Sequence, residues 1–395
     1  MTIKRINLDL PVTVPDYLIG EMTSKLAYVD ERVESGRISA DGIHAELTFK
    51  SPLTQEALEA IEVKVARLAS VMVKDAVKPR MKILESHLDR DVPFSEDPMG
   101  ALLASGEVHA EASGVYVLGP LLSGLIEFFE KQFTELADVF EARPYRFPTL
   151  IPARFMERVN YFHAFPHALT FATHLRSDLD VIEDFSEHAT CCEHGLNTTM
   201  DSFSNIKMML SPAVCYHLYL SLADKPLEVN QLAATAVGKC FRYESSNLIS
   251  LERLWDFTMR EVIFVGPRDF VLGNREKARQ WMEKRFEAIG LAYDVESASD
   301  PFFIGDYKQA AFQSAFQLKF EIRARLPYKD KTLAVGSYNY HQDFMGRNLN
   351  ITLPDGSKAH TGCAAFGLER IAFAFLSQYG LDPKKWPAYV REGVQ

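Results

Sequence analysis

The 395-residue sequence is poor in cysteine and has no long apolar run. No stretch approaches the roughly 18 consecutive apolar residues that a membrane-spanning helix needs. The first ten residues alternate charged and apolar side chains, where a secretory signal would carry an apolar block. Five cysteines are an odd and sparse set, unlike the dense even sets of disulfide-stapled secreted domains. These absences predict a cytoplasmic protein with reduced thiols.

Net positive charge is also missing. The chain has 43 basic and 53 acidic residues, a formal net charge of -10. Nucleic-acid binders draw most of their affinity from a positive field, so the composition argues against one unless a local basic patch exists. The 47% hydrophobic and 24% charged content is that of an ordinary folded protein. At roughly 150 residues per domain, the length predicts two or three domains.

The common catalytic signatures are absent as well. The sequence contains no P-loop, no glycine-rich dinucleotide pattern after a strand, no nucleophile elbow, no H-E-x-x-H and no C-x-x-C. Nucleotide binding of those kinds and zincin-type hydrolysis are therefore excluded. The chemistry has to be sought in less general patterns.

Residues 1–95 predict a small α+β module. Two segments, "IKRINLDLPV" and "GIHAELTF", alternate like strands. Thr54 precedes a segment with apolar residues at helical spacing, namely Leu58, Ile61, Val65, Leu68 and Met72. Lys78, Pro79 and the polar run "HLDRDVPFSEDP" then break any period and predict a linker, with the domain boundary at residue 95.

Residues 96–395 predict an antiparallel sheet flanked by helices, again an α+β fold. An apolar stripe from Leu121 to Phe140 indicates a long amphipathic helix, which the extended segment "ARPYRFPTLIP" ends. Four segments rich in aromatic and β-branched residues predict strands: "AVGKCFRYE", "DFTMREVIFVG", "FQLKFEIRARL" and "TLAVGSYNYH". Between them, a second helix is predicted to begin at an Asn274 N-cap and end at Gly290, with Trp281, Met282, Phe286 and Ile289 facing inward.

Two segments carry the candidate chemistry. In residues 238–266, two strands flank a loop with Glu252 and Arg253. Alternation places Cys240, Arg242 and Glu244 on one face, and Phe257, Met259 and Glu261 on one face of the return strand. In residues 360–376, a small-residue turn leads into an apolar helix with Arg370 near its start. The two segments predict one surface lined by arginine, carboxylates and an aromatic ring.

These segments resemble motifs 2 and 3 of the class II aminoacyl-tRNA synthetases, and "RFPTLIP" resembles their motif 1. The resemblance is closest to the atypical, methanogen-type seryl-tRNA synthetases and their truncated bacterial relatives, the amino acid:[carrier protein] ligases. It covers roughly residues 95 to 390. Its counterparts in order are "LSPAVCYHLY", "CFRYE", "FTMREVIFVG", "SDPFF", "QLKFE", "SYNYH", "HTGCAAFGLER" and "GLDPKKWP".

The resemblance implies an ATP site. In the family, the arginine matching Arg242 binds the α-phosphate, and the one matching Arg370 lies against the adenine and the γ-phosphate. Phe257 is expected to stack on the other face of the adenine, and Glu244 to contact the nucleotide or the amino acid. Considered without the family, the spacing of Arg242 and Glu244 favours a surface ion pair across strands, and Phe257 is a candidate core residue.

The resemblance also implies a zinc ion held by Cys215, Glu261 and Cys363. Three protein ligands leave one tetrahedral position open, which in the family receives the α-amino group of the substrate. Without the family, each cysteine is simply a small buried apolar residue. Cys191 and Cys192, with His188 and His194 nearby, are interpreted as exposed loop thiols rather than a second metal site, and Cys240 as a packing residue.

The implied reaction is ATP- and Mg²⁺-dependent activation of a small amino acid as an aminoacyl-adenylate, in a homodimer formed through motif 1. The expected acceptor is the phosphopantetheine thiol of a carrier protein. The basic helix from Arg275 to Arg285 is a candidate docking site for it, although such a helix is more often a solvated face. The alternatives are the terminal ribose of a transfer RNA and a non-catalytic paralogue that only binds an amino acid. Residues 1–95 faintly resemble a tRNA-binding domain, but the acidic net charge argues against RNA.

Overall fold

The computed structural model describes residues 3–74, 76, 78, 81–192, 195–299 and 317–394. His194 and most of the "SDPFF" segment lie outside these residues. Every helix among the described residues is too short or too polar to cross a bilayer.

The N-terminal module packs two helices on a three-stranded antiparallel sheet in the order β1-β3-β2. Its elements are β1 (Ile3–Asp9), α1 (Asp16–Lys25), β2 (Val33–Ile38), β3 (His44–Leu53) and α2 (Gln55–Lys74). Alternation along β3 buries Leu47 and Phe49, which share a core with Ile61 and Val65 of α2. The structure confirms the two predicted strands and the helix after Thr54, and it adds α1 and β2, which no strong period marked.

Strand β4 (Ile83–Ser86) does not belong to that small sheet, because it pairs with a strand of the large sheet near residue 295. The polar run that follows, residues 87–97, contains no helix or strand, as a linker requires. The domain boundary at residue 95 stays a prediction.

The rest of the chain builds one large sheet and the helices around it. First come α3 (Pro98–Ala104), β5 (Val108–Ala112), β6 (Val115–Leu118), α4 (Pro120–Asp138), β7 (Arg143–Pro144), β8 (Leu150–Pro152), α5 (Ala153–Arg158), α6 (Tyr161–Ala164), β9 (Phe171–Ala172), α7 (Leu179–His188), β10 (Thr190–Cys192), β11 (Gly195–Asn197) and β12 (Met208–Leu210). Then follow α8 (Cys215–Leu222), β13 (Leu232–Phe241), β14 (Asp256–Gly266), α9 (Arg268–Ile289), β15 (Tyr293–Ser297), β16 (Lys319–Leu326), β17 (Lys331–Gln342), α10 (Phe344–Asn348), β18 (His360–Gly367), α11 (Leu368–Tyr379) and α12 (Ala388–Gly393).

In the described residues the large sheet has eight strands in the order β4-β15-β16-β17-β18-β14-β13-β7. Every neighbouring pair is antiparallel except β13 and β7. This confirms the predicted α+β fold with an antiparallel sheet flanked by helices.

Helices α4, α9 and α11 cover one face of this sheet. The Phe133 ring of α4 stacks on Phe366 of β18 with centroids 4.0 Å apart. The predicted stripe of α4 is confirmed, since Leu122, Leu125, Phe129, Phe133 and Leu136 are all buried. The helix ends at Asp138, so Phe140 lies just beyond it.

The predicted start of α9 is wrong. The helix begins at Arg268, after Pro267, and Asn274 lies inside it. Proline has the φ of the chain entering a helix and needs no N–H there, and Val271 already faces the core in the first turn. The predicted end is confirmed, because Gly290 stops the helix in the left-handed region at φ 81°. Of the inward residues, Met282, Phe286 and Ile289 are buried, whereas Trp281 is half-buried.

The predicted small-residue turn before Arg370 is also wrong. Residues 360–367 form β18, a central strand between β17 and β14. Its small residues permit close packing: a Cβ added to Gly362 would lie 2.5 Å from the Asn339 carbonyl oxygen and 2.7 Å from Val271 Cγ1. Glycine and alanine therefore mark a crowded position here rather than a bend.

Candidate functional site

The face of the large sheet opposite α4, α9 and α11 carries Phe257, Glu261 and Cys363, three of the residues predicted for the site. Strand pairing places one residue from each of four neighbouring strands in a single row: Glu321, Ser337, Ala365 and Glu261. Because side chains alternate along a strand, Asn339 and Cys363 share this face. Residues about a hundred positions apart in the sequence thus meet on one surface.

Cys215, Glu261 and Cys363 form a buried cluster. Their ligand atoms all lie within 4.8 Å of one another. They come from three elements: Cys215 begins α8, Glu261 lies on β14 and Cys363 on β18. The structure therefore brings together the three residues that the resemblance named as metal ligands.

The surroundings of this cluster suit a soft divalent cation. Oε1 of Glu261 accepts hydrogen bonds from the backbone N–H groups of Val214, at 2.9 Å, and Cys215, at 3.2 Å. Oε2 is buried, with no hydrogen-bond donor other than the neighbouring thiols. Asn339 Nδ2 donates to Cys363 Sγ at 3.4 Å. Two sulfurs and one carboxylate oxygen, oriented by such outer hydrogen bonds, form a donor set that fits zinc.

The pKa values of the cluster residues also favour a bound cation. The hydrogen bond with Cys363, together with burial, holds the pKa of Cys215 well above its usual value. Burial likewise raises the pKa of Glu261. Such groups lose their protons readily only when a cation compensates the buried negative charge.

Three arginines act on Glu244, which lies just beyond the end of β13. Glu244 forms ion pairs with Arg253 and with Arg370, whose Nη2 lies 3.7 Å from Glu244 Oε1. Arg242 donates from Nε to the Pro212 carbonyl at 3.0 Å, and its guanidinium lies over the Phe257 ring, 5.4 Å from the centroid. Sequence reasoning had placed Arg242 and Glu244 together but missed the Arg253 pair, which joins the two ends of the loop.

The positive charges of Arg242, Arg253 and Arg370 make this group suited to bind an anion. Burial lowers the pKa of Arg370 to about 10, with Glu244 opposing the shift and Arg253 and Arg242 adding to it. A polyanion bound there would relieve the repulsion between the guanidinium groups. Planar, permanently charged guanidinium groups bind phosphate oxygens bidentately, which a lysine does not.

Phe257 is only 8% exposed, so the packing interpretation and the stacking interpretation both remain compatible with its position under Arg242. Glu321 and Asn339 are further polar residues of this face that the sequence did not single out as site residues. The alternation of "QLKFEIRARL" marked Glu321 as polar-facing, whereas nothing local marked Asn339.

The arginines of α9, the helix considered as a docking site, are held by neighbouring groups. Arg279 pairs with Glu85, Glu276 and Glu283, and Arg285 pairs with Glu135. Arg275 donates to the Gln317 carbonyl at 2.8 Å and lies over the Phe320 ring. These contacts favour the interpretation of α9 as a helix face whose arginines are paired locally, and docking of a carrier protein there stays a prediction.

The remaining cysteines lie apart from the cluster. Cys191 and Cys192 are exposed, as predicted, but they lie in strand β10, paired with β11, and not in a loop. Cys240 is buried opposite Phe257 in the β13–β14 pairing, as expected of a packing residue.

No protein-family model matches the chain. Amino acid–[acyl-carrier-protein] ligase 1 of Bradyrhizobium diazoefficiens is 34% identical over 308 residues, which cover 76% of this chain and 90% of that protein. The type-2 serine–tRNA ligase of Methanococcus aeolicus is 25% identical over 328 residues, covering 80% of this chain and 63% of the relative.

Among solved structures, the seryl-tRNA synthetase of M. kandleri, in complex with A. aeolicus tRNASec, superposes with a TM-score of 0.71 at 20% identity. The match covers 99% of this chain and 77% of that one. It shows that the fold is that of a class II synthetase. Given the identity and coverage of the Bradyrhizobium relative, the chain belongs to the amino acid–[acyl-carrier-protein] ligase family.

Proposed function

We propose that the protein activates a small amino acid with ATP and transfers it, through an aminoacyl-adenylate, to the phosphopantetheine thiol of a carrier protein. The observation that carries the proposal is that strand β14 joins the two groups: Phe257, which lies under Arg242, and Glu261 of the Cys215–Glu261–Cys363 cluster are four residues apart and on the same side of that strand. One half of this surface suits a polyphosphate and the other half suits an amine.

In the first half-reaction, a carboxylate oxygen of the amino acid attacks the α-phosphorus of ATP, and pyrophosphate leaves. The carboxylate is already an anion, so no general base is needed; the work is alignment and neutralisation of charge. We assign Arg242 to the α-phosphate, Arg370 to the γ-phosphate and the adenine, and Phe257 to the adenine ring. Mg²⁺ supplies further charge neutralisation on the phosphates.

Glu244 has a second task in this scheme. Its ion pairs with Arg253 and Arg370 hold both guanidinium groups at the edge of the site before ATP arrives. We propose that Glu244 contacts the nucleotide or the amino acid, while the arginines turn to phosphate oxygens, the stronger acceptors in such a pocket.

We further propose that Cys215, Glu261 and Cys363 hold zinc. When bound, zinc offers an open coordination position that selects a free α-amine and orients the amino acid. This chain's own contribution is the set of hydrogen bonds around the ligands: Val214 and Cys215 N–H on Glu261, and Asn339 on Cys363. They fix the direction of the ligands and thereby the position of the amine relative to the α-phosphorus site.

In the second half-reaction, the carrier's thiol sulfur attacks the adenylate carbonyl, the C–S bond forms and AMP leaves. The name of the ligase relative supports this acceptor. A transfer RNA is the second candidate, because the match to the RNA-bound synthetase covers 99% of the chain and so includes the N-terminal module. Against it, the outer side of α2 exposes Glu56, Glu59 and Glu62, which would repel a phosphate backbone.

The resemblance to motif 1 supports a homodimer, with β8 at the contact. We also propose a cytoplasmic location. All five cysteines are free, which is the state expected in a reducing compartment.

The test is amino-acid-dependent ATP–pyrophosphate exchange with the full chain, over all standard amino acids and β-alanine, with zinc measured in the same sample. Exchange with one small amino acid and about one zinc per chain is expected. An Arg370→Lys variant should lose roughly 100-fold in exchange rate, because a lysine cannot make the bidentate contact. Arg143→Lys, on exposed β7, is the matched control.

The acceptor is then tested with the labelled amino acid. Label should pass to a phosphopantetheinylated carrier protein and not to the same carrier without its arm. Label passing only to total tRNA would replace the carrier proposal by the synthetase one. A chain without exchange for any amino acid would instead be a binding paralogue.

A further inference from the structure

The N-terminal module touches the loop that carries the arginine group. This motif 2 loop is residues 242–255, between β13 and β14. Ser245 Oγ donates to the carbonyl of Ala27 at 3.1 Å, and Asn247 Nδ2 donates to the carbonyl of Ser24 at 3.1 Å. The two acceptors lie at the end of α1 and in the single helical turn that follows it.

This contact follows from helix chemistry. Carbonyl groups in the last turn of a helix have no intrahelical donor and accept from other parts of the chain. The end of α1 therefore offers acceptors, and the loop supplies one hydroxyl and one amide donor. The ring of Tyr28, in the same turn, packs edge-on against His167 of the catalytic part, with centroids 5.2 Å apart.

The loop needs such support because its backbone is in an uncommon conformation. Ser245 has φ 53°, in the left-handed region that residues other than glycine seldom adopt. Backbone hydrogen bonds from Asn247 N to Glu244 O, at 3.1 Å, and from Leu248 N to Ser245 O, at 3.2 Å, close the turn. The turn begins directly after Glu244, so its shape decides where that carboxylate points.

The side chains on either side of the turn are those assigned to ATP. Glu244 precedes it and pairs with Arg253 and Arg370. The charges of Glu244 and Arg253 also act on the Tyr28 phenol, whose pKa is raised above its ordinary value mainly by burial. The module thus lies within electrostatic reach of the arginine group.

We propose that the N-terminal module holds the motif 2 loop in its ATP-binding shape, with Ser245 and Asn247 as positioning residues that fix Glu244 and Arg253. This inference rests on the proposed function, since it assumes that the arginine group binds ATP. It assigns residues 1–95 to the adenylation step, apart from any role in choosing an acceptor.

Two substitutions of one residue test the contact. Asn247→Ala removes the donor, and Asn247→Asp keeps the shape but sets a carboxylate against the Ser24 carbonyl. Loss of one hydrogen bond predicts a rise in the KM for ATP of about five-fold in pyrophosphate exchange, with a larger rise for Asn247→Asp. The KM for the amino acid and the thermal midpoint should stay unchanged.

Ser39→Ala is the matched control. Ser39 is hydrogen-bonded to Asp41 and to the His44 backbone inside the module, away from the motif 2 loop. If the module affects ATP binding only by being folded, and not through this contact, Ser39→Ala and Asn247→Ala will give the same KM for ATP. A change confined to the Asn247 variants supports a positioning role.

A second readout does not depend on activity. Deuterium uptake by the backbone of residues 244–253 should rise in both Asn247 variants and stay at the wild-type level in Ser39→Ala. If uptake and the KM for ATP are both unchanged in the Asn247 variants, the inference is overturned. If the wild type shows no ATP–pyrophosphate exchange with any amino acid, the proposed function fails separately. The deuterium uptake of the Asn247 variants, unchanged or increased, still decides whether the module holds the loop.

Discussion

At the scale of single residues, the buried polar groups govern what the site can bind. Oε2 of Glu261 lies between two buried thiols. Among the described residues, no positively charged side chain donates a hydrogen bond to that oxygen. Burial contributes to the raised pKa values of Glu261 and of both thiols, so an uncompensated negative charge is disfavoured there. A metal is therefore the simplest way for three such residues to share one buried position.

If the cluster holds zinc as proposed, Cys363→Ser is expected to remove it. Oxygen of a serine is a poor zinc ligand, so content measured by mass spectrometry should fall from about one zinc per chain to below a tenth of that. Cys192→Ser, at an exposed thiol outside the cluster, should keep the full content. Equal zinc in both variants would exclude this site.

His167 predicts a pH dependence of stability. Burial, with the charge of Lys25 adding to it, lowers the pKa of His167 to about 4. In the unfolded chain its pKa is near 6.5, so as the pH falls from about 6.5 to 4 the unfolded state takes up the proton first. The free energy of unfolding should therefore drop over that window, by on the order of 1 to 2 kcal/mol after allowance for solvent screening.

The measurement is the urea midpoint of wild type and His167→Gln between pH 4 and 7.5. The difference between the two proteins should change across the window, because a glutamine side chain does not titrate. His109→Gln, at an exposed histidine of β5, should run parallel to wild type. A constant difference for His167→Gln would mean that this side chain carries none of the pH dependence.

At the scale of elements, side-chain periodicity predicted the long helices and strands but few of the short ones. Strands β13, β14, β16 and β17 and helices α2, α4 and α11 were all marked by alternation or by an apolar stripe. The failures were β18 and the start of α9. Gly362 of β18 is required because α9 packs closely against it. The start of α9 depends on the contact of Val271 with the core. Neither contact is local in sequence.

Phe133 should contribute heavily to the packing of α4 on the sheet. It is fully buried and stacks on Phe366. Phe133→Ala is expected to lower the free energy of unfolding by about 3 to 5 kcal/mol, since it removes contacts and leaves a cavity. Val63→Ala, at an exposed position of α2, should cost almost nothing in the same denaturant titration. A loss below about 1 kcal/mol for Phe133→Ala would contradict this packing.

At the scale of the whole molecule, the acidic chain needs apolar contacts rather than charge to associate with itself. Leu150 of β8 is 41% exposed and Ile206, just before the adjacent strand β12, is 48% exposed. Both lie by the segment that resembles motif 1. Exposed aliphatic residues on neighbouring strands are typical of a surface that a second copy covers.

Light scattering should accordingly give twice the 44.7 kDa chain mass. Leu150→Asp is expected to reduce the mass to that of one chain, because it buries an unpaired charge in the contact. Leu103→Asp, at an exposed leucine of α3, should leave the mass unchanged. A wild-type mass of one chain would end the dimer proposal.

Residue patterns along the chain were enough to predict the fold class, and the resemblance of short local motifs to a family was enough to name Cys215, Glu261 and Cys363, which the structure brings together. The roles of the other site residues stay predictions. Only the tertiary structure decided which residues are neighbours. Examples are the strand-paired residues from Glu321 to Glu261, the Glu244–Arg253 ion pair and the hydrogen bond from the motif 2 loop to the end of α1. Strand register and helix packing join residues that are distant in sequence, and no local pattern specifies which of them will touch.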